Sequence, residues 1–70
     1  MGSKPCNRLR EHREACGRMT QQALAEKVGV SRQTIIAIES GRYSPSLEVA
    51  LKLAKVFDKS VEDLFWLPDS

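Results

Sequence analysis

The chain has 70 residues, of which 41% are hydrophobic, and its formal net charge is +2. A chain this short buries one modest core, so we expect a single domain over residues 1–70 with its core at about 7–66. The apolar content is too high for a disordered tail, and no apolar run approaches the length of a membrane span. We therefore expect no membrane association, and the net charge alone does not indicate nucleic acid.

The charge is unevenly distributed along the chain. Residues 1–45 contain eight Lys/Arg and four Asp/Glu, whereas residues 46–70 contain three and five. The N-terminal two-thirds therefore carries a positive field that suits a polyanion, and the C-terminal part is mildly acidic.

Two cysteines, Cys6 and Cys16, are too few for a secreted disulfide scaffold. On one helix their separation of ten residues would place them about 15 Å apart, too far for a bond between them. Together with His12 they lack the alignment and the fourth ligand of a zinc-type site. We therefore expect no metal, no cofactor and a reduced, cytoplasmic setting, and we assign no role to these three side chains.

Capping residues and glycines predict where five helices begin and end. The first should run over about 7–16, where a glycine at 17 ends it, and the fifth should end near 65 or 66. Glycines at 29 and 41 end the second and third helices. The N-caps of the last four helices are Thr20, Ser31, Ser46 and Ser60.

Apolar residues at helical spacing predict the inward faces of these helices. No segment alternates with the two-residue period of a strand, so we expect an all-α fold without a sheet. The inward positions are, in chain order, Leu9, His12 or Arg13, and Cys16; Leu24, Ala25 and Val28; Thr34 or Ile35, and Ile38; Leu47, Ala50, Leu51, Ala54 and Phe57; and Phe65.

The segment 21–40 meets the steric demands of two short helices that cross at a steep angle. Ala25 is small where the helices cross, and Gly29 follows four residues later in the turn. The first turn of the second helix carries Arg32 and Gln33, which are polar and long enough to reach base edges. The apolar residues that fill the junction are Leu24, Val28, Val30, Ile35 and Ile38. An ordinary helical hairpin seldom meets all these demands, so the segment predicts a DNA-binding helix-turn-helix.

The stretch from Asn7 to Phe65 resembles the Cro/C1-type (XRE) helix-turn-helix family. The resemblance implies a compact five-helix, lambda-repressor-like domain. The residues that carry it are Asn7-Arg8-Leu9-Arg10, Thr20-Gln21, Leu24-Ala25, Val28-Gly29-Val30-Ser31-Arg32-Gln33-Thr34-Ile35, Ile38-Glu39-Ser40-Gly41-Arg42, Pro45-Ser46-Leu47 and Val61-Glu62-Asp63-Leu64-Phe65.

The same resemblance implies a function. Members are similar to phage repressors, restriction-modification controller proteins and antitoxins, and generally bind inverted-repeat operators in double-stranded DNA as dimers. We therefore expect a sequence-specific transcriptional regulator, in the first place a repressor acting as a homodimer. The alternative is an antitoxin or controller protein with a protein partner, although the sequence contains no separate toxin-wrapping tail. An enzyme is not expected, because the one histidine has no nucleophile beside it and no phosphate loop is present.

Residue roles follow from the resemblance and from the chemistry of the side chains. Arginine pairs bidentately with guanine and glutamine with adenine, while apolar side chains contact thymine methyl groups. The expected base contacts are Arg32, Gln33, Ile36 and Ala37. The expected phosphate contacts are Gln21, Ser31, Thr34, Arg42 and Tyr43. Plainer interpretations remain open: Gln21 as a simple cap, Arg42 as a solvated loop residue, and Tyr43 packed on the fourth helix.

Two further expectations concern structure and assembly. The resemblance implies an ion pair between Arg13 and Glu39 that ties the first helix to the recognition helix. At the other end of the chain, Phe65, Trp66 and Leu67 form an aromatic and aliphatic segment that suits self-association. The alternative is that this tail folds back onto its own subunit.

Overall fold

The computed structural model describes residues 6–68 and confirms the five-helix, all-α fold. A two-residue strand lies at each end of the helical part. The elements, in chain order, are β1 (Cys6–Asn7), α1 (Leu9–Ala15), α2 (Gln21–Val28), α3 (Arg32–Glu39), α4 (Leu47–Phe57), α5 (Val61–Leu64) and β2 (Phe65–Trp66).

The predicted caps define the starts of α2 to α5. The side-chain oxygens of Thr20, Ser31 and Ser46 each accept a hydrogen bond from the backbone N–H three residues later, which satisfies a donor that the helix leaves free. Gly29 ends α2 at φ 75°, a left-handed conformation that favours glycine, and this sharp turn leads directly into the cap of α3.

At the start of α5, Ser60 and Asp63 form a reciprocal capping box. The Asp63 carboxylate accepts a hydrogen bond from the Ser60 backbone N–H, and the Ser60 hydroxyl accepts one from the Asp63 N–H. The pKa of Asp63 lies below its ordinary value of 3.8, mainly because of the hydrogen bond from the Ser60 backbone N–H. The Ser60 hydroxyl and the charge of Lys59 lower it further.

This lowered pKa predicts how the stability contributed by Asp63 depends on pH. A carboxyl group with a lower pKa in the folded than in the unfolded chain stabilises the fold above the unfolded value, and loses that contribution as the pH falls through the folded value. We therefore expect Asp63→Asn to lower the free energy of unfolding at neutral pH, with the two proteins converging in acid. Urea unfolding across a pH series measures this, and a constant difference would contradict it.

The core lies between the helices and is fully apolar in the described part of the chain. Its largest fully buried side chains come from α1 to α5 and are Leu9, Leu24, Ile35, Ile38, Leu53, Leu64 and Val28. Of the two candidates in α3, Ile35 is buried and Thr34 is only half-buried. Cys16, expected on the inner stripe of α1, is exposed instead, because α1 ends at Ala15 and the chain turns away there.

The predicted inward face of α4 was wrong in part. Ala50, Ala54 and Phe57 are buried as expected, but Leu47 and Leu51 are 73% and 54% exposed. The residue that completes the inward face is Leu53, with no exposed area. Helix α4 is apolar at so many positions that two overlapping stripes have helical spacing, and packing against the other helices selects the one that contains Leu53.

The expectation of no sheet was also wrong, because β1 and β2 pair as a small antiparallel ribbon. Cys6 lies opposite Trp66, and Asn7 lies opposite Phe65. Strands of two residues are too short to show an alternating pattern, and their partners are far apart along the chain. Both ends of the described chain therefore meet in one ribbon.

Asn7 explains why α1 begins at Leu9 and not near residue 7. Its side-chain oxygen accepts a hydrogen bond from the Leu9 N–H (3.2 Å), which closes a local turn before the helix, whose N-cap is Arg8. Its side-chain amide donates to the Ile38 carbonyl at 2.9 Å. The beginning of α1 is thereby attached to the C-terminal part of α3.

Cys6, Cys16 and His12 have separate surroundings in the described residues 6–68. Cys6 is half-buried in β1 and Cys16 is exposed, and both are free thiols. The His12 ring packs against Phe57, with ring centroids 5.7 Å apart. The described residues contain no group of three or more His, Cys, Asp or Glu side chains that could hold a metal ion. None of the described helices is both long and apolar enough to cross a membrane.

Candidate nucleic-acid interface

Helices α2 and α3 form the pair that carries the candidate site. The turn between them is closed by hydrogen bonds from the Gly29 and Val30 N–H groups to the Ala25 carbonyl, at 2.8 and 3.0 Å. Helix α3 buries Ile35 and Ile38 against the core. The opposite face of α3 is therefore turned outward.

The outward face of α3 begins with two long polar side chains. Arg32 and Gln33 are both exposed in its first turn, while Ile36 and Ala37 are half-buried further along the helix. Two hydrogen-bonding side chains at the tip and two apolar ones behind them match the requirements for reading base edges in a major groove.

Arg32 and Gln33 point toward different sides of α3. Arg32 lines an open cleft that it shares with side chains of α1 and α2. Gln33 borders a second, shallower cleft together with Ala37 and Tyr43. The two side chains therefore leave α3 in different directions.

The cleft beside Arg32 is lined by side chains of α1, α2 and α3, and its three arginines come from α1 and α3, where two of them pair with glutamates of the same lining. Its lining residues are Arg10, Arg13, Glu14, Thr20, Gln21, Gln22, Arg32 and Glu39. Neither Arg10 nor Gln22 was among the expected DNA contacts, yet both lie here. Their spacing was the available signal: Arg10 precedes Arg13 by one helical turn, and Gln22 follows Gln21 at the start of α2.

An ion pair fixes α3 against α1. Arg13 Nε donates to one Glu39 oxygen at 2.6 Å and Nη2 donates to the other at 3.1 Å, while Nη1 donates to the Met19 carbonyl at 2.8 Å. The side chains of Arg13 and Glu39 are only 11% and 9% exposed. This pair therefore orients the recognition helix and is itself largely shielded from solvent.

Gln21 and the α3 cap are connected to the same framework. The Gln21 side-chain amide donates to Glu39 at 3.1 Å. The Ser31 and Thr34 hydroxyls lie 3.0 Å apart at the start of α3, where Ser31 also caps the helix. These polar groups lie at the N-termini of α2 and α3, where backbone N–H groups favour an anion.

The loop after α3 returns to the recognition helix. The Arg42 and Tyr43 N–H groups donate to the Ala37 carbonyl at 3.0 and 3.2 Å, and Arg42 Nε donates to the Ser40 hydroxyl at 3.3 Å. Tyr43 is 50% exposed and borders the cleft beside Gln33. The loop therefore presents an arginine and a tyrosine next to the outward side of α3 that carries Gln33.

The tail has contacts within its own chain. Phe65 is half-buried against the core, and the Arg8 guanidinium lies over the Trp66 ring, 4.9 Å from its centroid. Trp66 remains 40% exposed and Leu67 72% exposed. Of the three residues expected to support self-association, Leu67 is the most accessible.

Two short helices joined by a tight turn, with long polar side chains exposed in the first turn of the second, define a helix-turn-helix DNA-binding domain. A family model described as helix-turn-helix matches residues 9–64. The chain is 54% identical over 63 residues to an uncharacterized HTH-type transcriptional regulator of Methanocaldococcus jannaschii, covering 90% of this chain and 94% of that one.

Two further proteins extend this comparison. The uncharacterized HTH-type transcriptional regulator YgzD of Bacillus subtilis is 49% identical over 63 residues, again 90% of this chain and 94% of that protein. The crystal structure of the restriction-modification controller protein C.AhdI from Aeromonas hydrophila matches with a TM-score of 0.71 and 36% identity, over 79% of this chain and 82% of that chain. The chain belongs to the Cro/C1-type (XRE) helix-turn-helix family of DNA-binding transcriptional regulators.

Proposed function

We propose that this regulator is a repressor that binds an inverted-repeat operator as a homodimer, with α3 in the major groove of each half-site. The observation that carries the proposal is the outward face of α3, where Arg32 and Gln33 are exposed on a helix fixed by the Arg13–Glu39 ion pair. A rigidly held helix with hydrogen-bonding side chains in its first turn is what sequence reading requires.

In this proposal base recognition is concentrated at the tip of α3. Arg32 donates to the O6 and N7 of a guanine, and Gln33 pairs with the N6 and N7 of an adenine. Ile36 and Ala37 contact thymine methyl groups, because neither side chain can donate a hydrogen bond. Each half-site is then read by few strong contacts, and specificity depends on pairing two half-sites.

Phosphate contacts position the helix without reading sequence. We assign these contacts to groups at the N-termini of α2 and α3 and to the loop after α3. The residues are Gln21, Ser31, Thr34, Arg42 and Tyr43. Gln21 is held by Glu39, so a phosphate contact there also depends on the ion pair that positions α3.

Selection of bound sites from random duplex DNA, at a stated salt concentration, tests this proposal. We expect an enriched inverted repeat whose half-site centres lie about one helical turn, or 34 Å, apart. Binding to the selected duplex should exceed binding to a shuffled duplex of the same composition. Recovery of no enriched motif would contradict sequence-specific binding, and recovery of single half-sites alone would contradict the dimer.

The structural similarity to C.AhdI favours a second candidate, a controller protein of a restriction-modification system. This candidate uses the same interface and differs in the genes that it regulates. It predicts that the selected operator occurs upstream of an endonuclease or methyltransferase gene in the source genome. Occurrence only upstream of unrelated genes would exclude it.

A further inference from the structure

Five large hydrophobic residues are exposed between residues 6 and 68. They are Tyr43, Leu47, Leu51, Trp66 and Leu67. Tyr43 borders the cleft beside the recognition helix, and the Trp66 ring lies under Arg8. Leu47 and Leu51 differ from the others because they lie one helical turn apart on the same helix, α4, and so form a continuous apolar stripe.

Charged residues of opposite sign flank this stripe. Glu48, Leu51 and Lys55 are spaced i, i+3 and i+7, so they share one side of α4, with the acid toward its N-terminus and the base toward its C-terminus. All three are exposed. We call Leu47, Glu48, Leu51 and Lys55 the α4 surface.

We propose that a second copy of this chain docks on the α4 surface, with the two α4 helices antiparallel about a two-fold axis near Leu51. The proposal names the interface of the dimer in the proposed function and rests on that function. The two-fold axis packs Leu51 against its counterpart and buries Leu47 at either end of the contact. An interface of this kind is self-complementary, as a symmetric dimer requires.

Charge complementarity argues for a second copy over an unrelated partner. In the antiparallel arrangement, Glu48 lies three residues before the axis and Lys55 four residues after it. Each glutamate therefore comes within about 1.5 Å, measured along the helix, of the partner's lysine. Glu48 already pairs with Lys52 at 3.0 Å in its own helix, but its side chain is 76% exposed and can accept a second donor. A parallel arrangement would leave Glu48 and the partner's Lys55 about 10 Å apart along the helix and would offer no such pairing.

The size of the surface indicates a reversible dimer. Stable interfaces bury about 800 Å² on each partner, which is about a sixth of the 4944 Å² accessible surface of this domain. Two leucines supply only part of such an area. We therefore expect a monomer–dimer equilibrium in free solution that the operator shifts toward the dimer.

Sedimentation equilibrium of the full chain without DNA, over a concentration series reaching about 1 mM, tests the interface. We expect the wild-type protein to dimerise reversibly within this range. Leu51→Glu should weaken dimerisation at least about tenfold, because it places two like charges on the axis. Leu67→Glu makes the same change in the tail, the other segment expected to support self-association, and so separates the two surfaces: we expect it to weaken dimerisation far less than Leu51→Glu. Thermal melts followed by circular dichroism establish that both variants fold.

Reversing the charges of Glu48 and Lys55 shows whether the two residues meet across an interface or only support the fold of their own chain. Glu48→Lys and Lys55→Glu should each weaken self-association, because each places like charges opposite one another across the axis. An equimolar mixture of the two variants should recover dimerisation, since each lysine then meets a glutamate of the other chain.

The proposal is overturned if the wild-type chain stays monomeric throughout, if Leu51→Glu dimerises as the wild type does, or if the mixture associates no better than its components. Weakening by Leu67→Glu but not by Leu51→Glu would assign the dimer to the tail and would also overturn it. Failure of the proposed function is separate from these outcomes, because it appears as the absence of an enriched motif in the DNA selection.

Discussion

Arg13→Ala is expected to lower the free energy of unfolding by about 3 kcal/mol, the low end of the range for a fully buried ion pair, because the side chains of Arg13 and Glu39 keep 11% and 9% of their surface exposed. The variant leaves the Glu39 carboxylate in a site where its side chain is 9% exposed, with the Gln21 amide as a remaining donor. It also removes a donor to the Met19 carbonyl. A small domain has about 0.05–0.15 kcal/mol of stability per residue, so the loss is a large share of the total. Urea unfolding measures it.

A matched control is available on the same helix. Arg10 pairs with Glu14 at 3.2 Å, but these side chains are 76% and 58% exposed. Exposed pairs contribute about 0.2–1 kcal/mol, so Arg10→Ala should change stability far less than Arg13→Ala. The double variant Arg13→Met, Glu39→Leu should recover most of the loss, because it leaves no unpaired buried charge. Equal effects of the two alanine substitutions would contradict a special role for the Arg13–Glu39 pair.

The second large effect is expected in DNA recognition. Arg32→Ala and Gln33→Ala should each relax the preference at one base-pair position of the half-site. A bidentate contact discriminates against the wrong base by about 1–3 kcal/mol. The ratio of affinities for the preferred base over the other bases should therefore fall about tenfold to a hundredfold. Because the two side chains border different clefts, the affected positions should differ. Binding to a panel of single-base variants of the selected operator measures both effects.

Arg42→Ala provides the contrasting variant. As a phosphate contact, Arg42 should contribute equally to every sequence, so its removal weakens binding uniformly and reduces the slope of log affinity against log salt by about 1. Uniform losses in all three variants would show that the division between base and phosphate contacts is wrong.

Features that depend on local chemistry were predictable from the sequence. The caps Thr20, Ser31 and Ser46, and the turn at Gly29, depend on hydrogen bonds and backbone angles within a few residues. The helix-turn-helix segment was predictable for the same reason, because its demands fall at fixed offsets within twenty residues.

Features that depend on distant contacts were not predictable from local spacing, and the Arg13–Glu39 pair was expected only because the family resemblance implies it. The ribbon pairs Cys6 with Trp66, sixty residues away, and two-residue strands leave no periodic signal. The inward face of α4 was ambiguous because Leu51 and Leu53 both fit a helical stripe, and only the position of the other helices decides between them. The two leucines that were wrongly expected in the core, Leu47 and Leu51, are the ones that we assign to the dimer interface.

The candidate site shows the same division between local and distant information. The exposure of Arg32 and Gln33 was predictable from helical spacing. Ile35 and Ile38 occupy the inward face of α3, so these two polar residues must lie on its outward side. The position of Arg10 in the same cleft depends on how α1 packs across α2 and α3. Its spacing from Arg13 places both arginines on one side of α1 but does not show which helices that side meets.

The ribbon of β1 and β2 has a consequence for engineering. Because Cys6 lies directly opposite Trp66, the two ends of the helical part that the structure describes lie at neighbouring points, about 5 Å apart across the pair. A few glycine and serine residues would bridge these points with little loop-closure entropy. The domain could therefore be inserted into a surface loop of a host protein, or circularly permuted, without separating the helices that bear its DNA-binding face.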